Sequence, residues 1–262
     1  MRLLVNGIET FITTGGRRPD PALPFVVFLH GAGLDHSVWA LLSRWFAHHG
    51  WNVLAPDLPG HGRSLGEPLQ SIGAMADWTA ALIATANAGA VRLVGHSMGS
   101  LVALETAARH PHTTTGLGLI GTAAAMPVSS ELLSAAETDD RAAVDMVSIW
   151  GHGMRATLGG SLVPGLWMLG GAERLLERAG SGVLFKDLAA CNEYRDGLSS
   201  AAKVSVPATL ILGERDLMTP AKAGKALAAG FARARVVILK GAGHLLMSER
   251  PDEVLEALRS DL

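Results

Sequence analysis

The sequence predicts an α/β fold: a mostly parallel, doubly wound sheet with a helical cap insertion. Short apolar runs alternate along the chain with stretches of helical periodicity, which is typical of parallel strands joined by crossover helices. The residues are 48% hydrophobic and only 18% charged, as expected for a sheet covered on both faces. One long stretch, 123–202, lacks any strand pattern. We therefore divide the chain into an α/β core, 1–122 and 203–262, and a helical cap, 123–202.

The first half of the predicted core begins with a hairpin and continues as alternating strands and helices. Asn6 and Gly7 between apolar segments predict the hairpin turn. The apolar run 25–29 predicts a buried central strand. Helical spacing over 37–49 predicts a helix with Ser37 as its N-cap. The other elements predicted in this half are a strand at 52–55, a helix at 72–87, a strand at 91–94 and a helix beginning near Met98.

The second half of the core flanks the predicted cap. It is expected to contain strands at 116–120, 206–212 and 235–239 and helices at 221–229 and 252–259. In folds of this kind ligands bind at the strand ends, which the cap would cover. Large apolar side chains of the cap are therefore candidates for a substrate pocket, with plain packing of cap against core as the alternative for each. These candidates are Trp150, Met154, Trp167 and Met168.

Charge and cysteine content argue against several classes of protein. The net charge is −2 and no block of like charges occurs, so neither nucleic acid nor a membrane surface is expected as a partner. The N-terminus lacks the features of a signal peptide, and no apolar stretch approaches the length of a membrane span. Cys191 is the only cysteine and is expected to be a small buried hydrophobe. We expect a soluble, cytoplasmic protein whose oligomeric state the sequence does not specify.

The strongest chemical signal is the pentapeptide Gly95-His96-Ser97-Met98-Gly99, which matches G-x-S-x-G. It follows a predicted strand and precedes a predicted helix. In that context the serine lies on a tight, strained turn that lifts its hydroxyl above the edge of the sheet. Ser97 is therefore the predicted nucleophile, and it needs a base beside it because a serine hydroxyl reacts poorly near neutral pH.

Two loops near the end of the chain supply candidates for that base and its partner. His244 lies in the glycine-rich loop that leaves the last predicted strand, and we predict that it is the general base. Asp216 follows the strand at 206–212 and is predicted to accept a hydrogen bond from the histidine. The order Ser, Asp, His along the chain is the one expected when the nucleophile lies on a strand-to-helix turn of an α/β sheet.

A short loop, His30-Gly31-Ala32-Gly33, follows the first buried strand and is predicted to bind an oxyanion. Its small residues allow a backbone N–H to approach a substrate carbonyl. We expect the N–H groups of Ala32 and Met98 to form an oxyanion hole, with Gly33 as the alternative to Ala32. His30 and His96 are expected to support the geometry of the loops that they adjoin.

Together these segments resemble the α/β-hydrolase superfamily over nearly the whole chain. The resemblance implies the cap, a structural role for the loop 57–64 and no cofactor. Ser97 argues against haloalkane dehalogenases and epoxide hydrolases, which carry aspartate at that position. The segments that carry the resemblance, in family order, are His30-Gly31-Ala32-Gly33, Asp57-Leu58-Pro59-Gly60-His61-Gly62-Arg63-Ser64, Gly95-His96-Ser97-Met98-Gly99, Gly213-Glu214-Arg215-Asp216 and Gly243-His244.

The predicted activity is hydrolysis of a carboxylic ester, or a similar acyl bond, of a small and partly apolar substrate through an acyl-enzyme. Carbon–carbon bond hydrolysis, lactone opening and perhydrolysis on the same three residues are the alternatives. A hydrolase-derived receptor for a small molecule is a further alternative, and the complete set of three side chains argues against it. No metal site is predicted, because the histidine pairs His48-His49 and His110/His112 lack a third ligand at a recognisable spacing.

Overall fold

The computed structural model describes residues 1–161 and 165–260. Their strands form one mixed eight-stranded sheet. Its strands are β1 (Arg2–Val5), β2 (Ile8–Thr13), β3 (Phe25–Leu29), β4 (Asn52–Pro56), β5 (Val91–His96), β6 (Thr114–Ile120), β7 (Ala208–Gly213) and β8 (Ala234–Leu239). Their spatial order is β1-β2-β4-β3-β5-β6-β7-β8. The pairs β1–β2 and β2–β4 are antiparallel, and all pairs from β4 to β8 are parallel. The predicted fold class is confirmed.

Helices cover both faces of this sheet. Over the described residues they are α1 (Ala40–Ala47), α2 (Ile72–Thr85), α3 (Met98–Arg109), α4 (Ser130–Glu137), α5 (Arg141–Trp150), α6 (Met154–Thr157), α7 (Met168–Glu177), α8 (Val183–Glu193), α9 (Gly197–Lys203), α10 (Ala221–Ala228), α11 (Leu246–Glu249) and α12 (Pro251–Arg259). Strand β3 illustrates the two-sided core, since alternate side chains point to opposite faces. Val27 and Leu29 pack in a cluster with α2 and α3, whereas Val26 and Phe28 pack in a cluster with α1 and α12.

The N-terminal hairpin is confirmed and has the turn that its sequence predicts. Asn6 and Gly7 both have positive φ angles, 48° and 81°, as a two-residue hairpin turn of this type requires. Strand β3 has the predicted bounds, and most other core elements begin or end within two residues of the predicted positions. Local propensity and periodicity therefore determine these elements.

The predicted N-cap at Ser37 is wrong. The chain first makes a single 3₁₀ turn, His36–Trp39, and the capping side chain is Asp35. Asp35 Oδ1 accepts hydrogen bonds from the backbone N–H of Ser37 at 2.8 Å and from its hydroxyl at 2.5 Å. The Ser37 hydroxyl is thus a donor to the cap, and the carboxylate two residues earlier is the better acceptor for the free N–H groups.

Helices α4–α9, here called the inserted helices, lie between β6 and β7. Within the described part of 123–202 no strand is present. An apolar cluster of their own, including Leu132, Leu176 and Leu188, also contains Leu34 and Leu245 from the core. The inserted helices therefore pack over the loops that follow β3 and β8, while the boundaries proposed for a cap stay a prediction. Among the described helices, none combines the length and apolar character needed to cross a membrane.

Candidate active site

Ser97 lies on the tight turn between β5 and α3, as its motif predicts. Its φ and ψ angles are 52° and −121°, a strained conformation for a residue with a side chain. The flanking glycines make the turn possible. A Cβ atom on Gly95 would lie 2.0 Å from the carbonyl oxygen of Gly99, and one on Gly99 would lie 2.2 Å from the carbonyl oxygen of Leu29. The Ser97 N–H donates to Ile120 at 2.9 Å, which ties the turn to β6.

The structure brings His244 and Asp216 together. His244 Nδ1 lies 2.8 Å from Asp216 Oδ2, and both side chains are buried. The other carboxylate oxygen, Oδ1, accepts the N–H groups of Met218 and Thr219 at 2.9 and 2.8 Å. Burial alone would raise the pKa of Asp216, but the attraction of His244 and these hydrogen bonds outweigh it and hold that pKa below its ordinary value. Asp216 is therefore an anion that orients the Nδ1–H of His244.

The second ring nitrogen of His244 is available for chemistry. Within the described residues, His244 Nε2 has no hydrogen-bond partner, and it is buried. With the proton on Nδ1, Nε2 carries the lone pair that a general base needs. His244 and Ser97 line the same cavity.

His96 connects the turn at Ser97 to the loop that carries His244. Its Nε2–H donates to the carbonyl oxygen of His244 at 2.9 Å, and the two rings are 4.8 Å apart. Burial, with a smaller contribution from His244, lowers the pKa of His96 to about 3. His96 therefore stays neutral and supports loop geometry, the role expected for it.

The loop after β3 presents the N–H groups considered for an oxyanion hole. The N–H of Gly33 donates to Asp187 Oδ2 at 2.8 Å and is therefore occupied. Within the described residues, the N–H groups of Ala32 and Met98 have no acceptor. Of the two predicted alternatives on this loop, Ala32 is the one left free to bind a ligand.

A cavity of about 220 Å³ opens onto Ser97 and His244 and is mostly apolar. None of the described residues that line it is Asp, Glu, Lys or Arg, and its polar side chains include Ser129 from the inserted helices as well as Ser97 and His244. Cys191 is part of the wall, where burial raises the pKa of its thiol, so it acts as an apolar side chain. The apolar wall is formed mainly by Leu34, Met126, Val128, Leu132, Val147, Trp150, Leu176, Leu184, Leu188 and Leu245.

The four predicted pocket residues are only partly brought together. Trp150 lines the cavity at Ser97. Met154 and Trp167 do not, because they are 78% and 60% exposed on the outer surface of the inserted helices. Met168 is buried and lines a separate cavity of about 550 Å³, together with Trp167. The sequence identified these residues as large apolar side chains in helical segments. It did not specify which side of each short segment faces Ser97.

The inserted helices are hydrogen-bonded to the His244 loop through Gly151 and Glu249. The carbonyl oxygen of Gly151 accepts the N–H groups of His244 and Leu245, both at 2.9 Å. The Glu249 carboxylate accepts the N–H of Gly153 at 3.1 Å and that of Gly243 at 3.0 Å. Sequence reasoning missed Glu249, since nothing in its local pattern distinguishes it from a solvated helix residue.

One group of side chains could offer three ligands to a metal ion. Donor atoms of Asp35, His36 and Asp57 lie within 4.8 Å of one another. Their lone pairs already serve other partners, since Asp35 Oδ2 accepts from Arg178 and Asp57 Oδ1 accepts from the His36 ring at 2.7 Å. Asp57 also accepts the backbone N–H of Arg63 at 2.8 Å. These hydrogen bonds brace the loop 57–64 and account for the burial of both carboxylates without a bound ion.

Comparison with known proteins agrees with this architecture. A model of the alpha/beta hydrolase family matches residues 26–257. The pimeloyl-[acyl-carrier protein] methyl ester esterase of Chromobacterium violaceum is 32% identical over 265 residues, which cover 97% of this chain and 98% of that protein. The protein of the same name from Aromatoleum aromaticum is 31% identical and covers 88% of this chain and 94% of its own.

Solved structures are similar over almost the whole chain. The enol-lactonase from Burkholderia xenovorans LB400 has a TM-score of 0.89 at 25% identity, covering 99% of this chain and 98% of that one. A thermophilic esterase from Thermogutta terrifontis has a TM-score of 0.81 at 23% identity, with 99% and 96% covered. The second similarity concerns the fold alone.

Proposed function

This chain belongs to the alpha/beta hydrolase family, and from that premise we propose that it is a carboxylic ester hydrolase with Ser97 as nucleophile. The observation that carries the proposal is the arrangement of His244. Its Nδ1 is held by Asp216 at 2.8 Å, while its unpartnered Nε2 is buried beside the cavity that Ser97 also lines. The names of the two esterase relatives support the same chemistry.

The mechanism follows from these positions. Ser97 Oγ attacks the ester carbonyl carbon while His244 Nε2 takes its proton, and Asp216 stabilises the imidazolium that forms. The N–H groups of Ala32 and Met98 donate to the oxyanion, a contribution of about 3–4 kcal/mol for each well-placed donor. His244 then gives its proton to the leaving alcohol. Water, activated by the same nitrogen, hydrolyses the acyl-enzyme and releases the acid.

The proposed substrate is an ester whose acyl and alcohol groups are small, apolar and uncharged. The reacting carbonyl would lie at Ser97, and the described lining of the cavity is mostly apolar and carries no Asp, Glu, Lys or Arg side chain. A free carboxylate in that wall would lose its hydration without gaining a cationic partner. A lactone is a cyclic ester, and the similarity to an enol-lactonase makes lactones the second substrate class to test.

Two further features of the protein belong to the same proposal. Residues 123–202 would act as a cap, because the inserted helices supply most of the apolar wall over Ser97. A cytoplasmic location is supported by Cys191, the only cysteine, which is a free thiol in the structure.

Replacing Ser97 by alanine tests the nucleophile. We expect Ser97→Ala to abolish hydrolysis of p-nitrophenyl butyrate and labelling by a fluorophosphonate, while its circular dichroism spectrum stays that of the wild type. Peptide mapping of the labelled wild-type protein should locate the probe on Ser97. Turnover by the variant at the wild-type rate would refute the assignment.

A matched pair of substrates tests the uncharged cavity. The p-nitrophenyl esters of butyric acid and of succinic acid differ chiefly in the free carboxylate of the second. We expect kcat/KM to favour the butyrate by about 100-fold or more, since burying an unpaired carboxylate costs several kcal/mol. Equal values for the two esters would contradict burial of the acyl chain against this uncharged wall.

A further inference from the structure

Asp187 is a buried carboxylate that contacts the oxyanion loop from the inserted helices. It lies on α8 and is fully buried. Its neighbours Leu184, Leu188 and Cys191 line the cavity at Ser97. Asp187 Oδ2 instead accepts the N–H of Gly33 at 2.8 Å. The same helix therefore forms part of the substrate cavity and holds the backbone of the predicted oxyanion loop.

The partner of Asp187 on the core is a charged histidine. His61 Nε2 lies 2.8 Å from Asp187 Oδ2, and His61 Nδ1 lies 3.0 Å from the carbonyl oxygen of Pro59. Both ring nitrogens face acceptors, so both carry protons. Burial alone would lower the pKa of His61, but the attraction of Asp187 outweighs it and raises that pKa. Asp187 and His61 form an ion pair that joins α8 to the loop 57–64.

The peptide unit between Gly31 and Ala32 is held by residues of the core. Leu58 N–H donates to His30 Nε2 at 3.1 Å, which leaves the His30 proton on Nδ1. That proton points to the carbonyl oxygen of Gly31 at 2.9 Å, and Leu34 N–H donates to the same oxygen at 3.2 Å. In a trans peptide the C=O and N–H groups point in opposite directions, so fixing the Gly31 carbonyl also fixes the direction of the Ala32 N–H.

The next peptide unit is the one that Asp187 holds. Gly33 has a φ angle of +66°, and a Cβ atom there would lie 2.9 Å from a methyl carbon of Leu184. The loop thus packs directly against α8, with no space for a side chain between them. His30 fixes the Ala32 amide from the core, and Asp187 fixes the following amide from the inserted helices.

We propose that Asp187 is a positioning residue that, together with His30, holds the loop so that the Ala32 N–H can bind the oxyanion. The proposal rests on the ester hydrolase function proposed above. Asp187 acts through Gly33 and does not touch the substrate. One of its oxygens, Oδ1, is buried without a partner among the described residues, which costs stability and distinguishes this carboxylate from one optimised for packing alone.

The test compares Asp187→Ser, whose side chain ends before the position of the carboxylate oxygens, with a matched control, Glu105→Ser. Glu105 is also a buried carboxylate that fastens the same region, since it accepts hydrogen bonds from the Tyr194 hydroxyl at 2.8 Å and from the Ser200 hydroxyl at 2.7 Å. It lies on α3 and makes no contact with the oxyanion loop through these bonds. Both substitutions remove one negative charge and the acceptor oxygens of the carboxylate. Asp187→Asn can keep an amide oxygen at the position of Oδ2 for Gly33, so it should restore most of the activity that Asp187→Ser loses.

The two variants are assayed with p-nitrophenyl butyrate and with an aliphatic trifluoromethyl ketone, at a temperature where both are folded. Ser97 Oγ adds to the carbonyl carbon of the ketone, and the resulting oxyanion lies where that of the ester intermediate would lie. Losing one oxyanion donor costs about 100-fold or more in kcat, so a displaced donor in Asp187→Ser should lower kcat by about 10- to 100-fold. KM should change by less than about threefold, and the affinity for the ketone should fall by the same factor as kcat. In Glu105→Ser both quantities should stay within about threefold of the wild type.

The outcomes separate this proposal from the proposed function. If both variants lose kcat and ketone affinity equally, or if neither does, Asp187 is only a structural ion-pair partner and the inference is wrong. If Asp187→Ser does not fold because His61 is left as an unpaired buried charge, the double variant Asp187→Ser/His61→Gln is compared with His61→Gln alone. Failure of the function itself would appear elsewhere, as wild-type turnover by Ser97→Ala.

Discussion

The carbonyl oxygen of Gly151 accepts the backbone N–H of His244 at 2.9 Å, so the inserted helices are bonded directly to the residue proposed as general base. Glu249 adds a bridge between the same two segments through the N–H groups of Gly153 and Gly243. Because strand β8 ends at Leu239, these contacts determine where the loop places the imidazole. The position of His244 thus depends on the seating of the inserted helices as well as on the sheet.

Removing the Glu249 carboxylate should loosen the His244 loop. Glu249→Ala leaves two N–H groups without an acceptor, which should lower the free energy of unfolding by about 2 kcal/mol or more and reduce kcat. Glu249→Gln should retain part of both, since an amide oxygen at the position of Oε2 can accept from Gly153 and Gly243, while the amide nitrogen at the position of Oε1 would face the Gly243 N–H. Urea denaturation and ester hydrolysis measure the two effects. Identical behaviour of the two variants would contradict the bridge.

Stability at acid pH should report on the buried neutral histidines. Burial lowers the pKa of His30 to about 4 and that of His96 to about 3, from an ordinary value of 6.5. The unfolded chain therefore binds more protons than the native protein below pH 6.5. The stability linked to each histidine is fully present above that pH and is lost as the pH falls toward the folded pKa, at up to about 1.4 kcal/mol per pH unit for each proton.

The variant His30→Gln measures how much of this pH dependence comes from the protonation of His30. Between pH 6 and about pH 4.5, the free energy of unfolding of this variant should fall less steeply than that of the wild type, by about 1 kcal/mol per pH unit. Urea denaturation followed by circular dichroism across this range gives both slopes. Replacing the exposed His112 by Gln is the control and should leave the slope unchanged. Parallel curves for His30→Gln and wild type would mean that His30 is charged in the folded protein.

Glycine at position 99 should be indispensable for the turn at Ser97. A Cβ atom there would collide with the carbonyl oxygens of Leu29 and His30, at 2.2 and 2.6 Å. Gly99→Ala should lower the free energy of unfolding by about 3 kcal/mol or more, because backbone of β3 would have to move. Gly171→Ala in α7 meets nothing within 4 Å and should be neutral or stabilising by up to about 1 kcal/mol. A stable, active Gly99→Ala protein would show that the turn tolerates another shape.

The two tryptophans of the inserted helices should differ in their effect on substrate choice. Trp150 lines the cavity at Ser97, whereas Trp167 is largely exposed and lines the separate cavity. Trp150→Ala should increase the ratio of kcat/KM for octanoate over butyrate esters by about tenfold or more, because space for additional methylenes opens beside the acyl group. Trp167→Ala should leave that ratio unchanged. A larger shift from Trp167→Ala would reverse the assignment of the two cavities.

The sequence was most informative where the signal is local. The strand at 25–29 and the turn at Asn6 and Gly7 follow from periodicity and from backbone preferences that act within a few residues. The sequence motif also marked Ser97, whose strained turn is itself a local feature. The N-cap was misassigned at Ser37 because Asp35, two residues earlier, also carries a side-chain acceptor. The structure shows that Asp35 is the residue that accepts the free N–H of the first turn.

Contacts between distant parts of the chain lay beyond sequence reasoning. Met154 and Trp167 are large apolar side chains of the kind that line pockets. Their exposure depends on the orientation of the inserted segments relative to the core. Asp187 had one usable signal, a carboxylate on the apolar face that Leu184 and Cys191 define at helical spacing. That signal indicates a buried partner without naming it, because Gly33 and His61 are more than 100 residues away.

The absence of charged side chains from the described lining of the cavity has a consequence for substrates with two identical ends. A symmetric diester can react at one end while its other, still neutral, end occupies the apolar wall. The half-acid that leaves would have to return with its new anionic end inside that wall, which lacks a counter-ion. The enzyme would therefore stop after a single cut and release the monoester as its product.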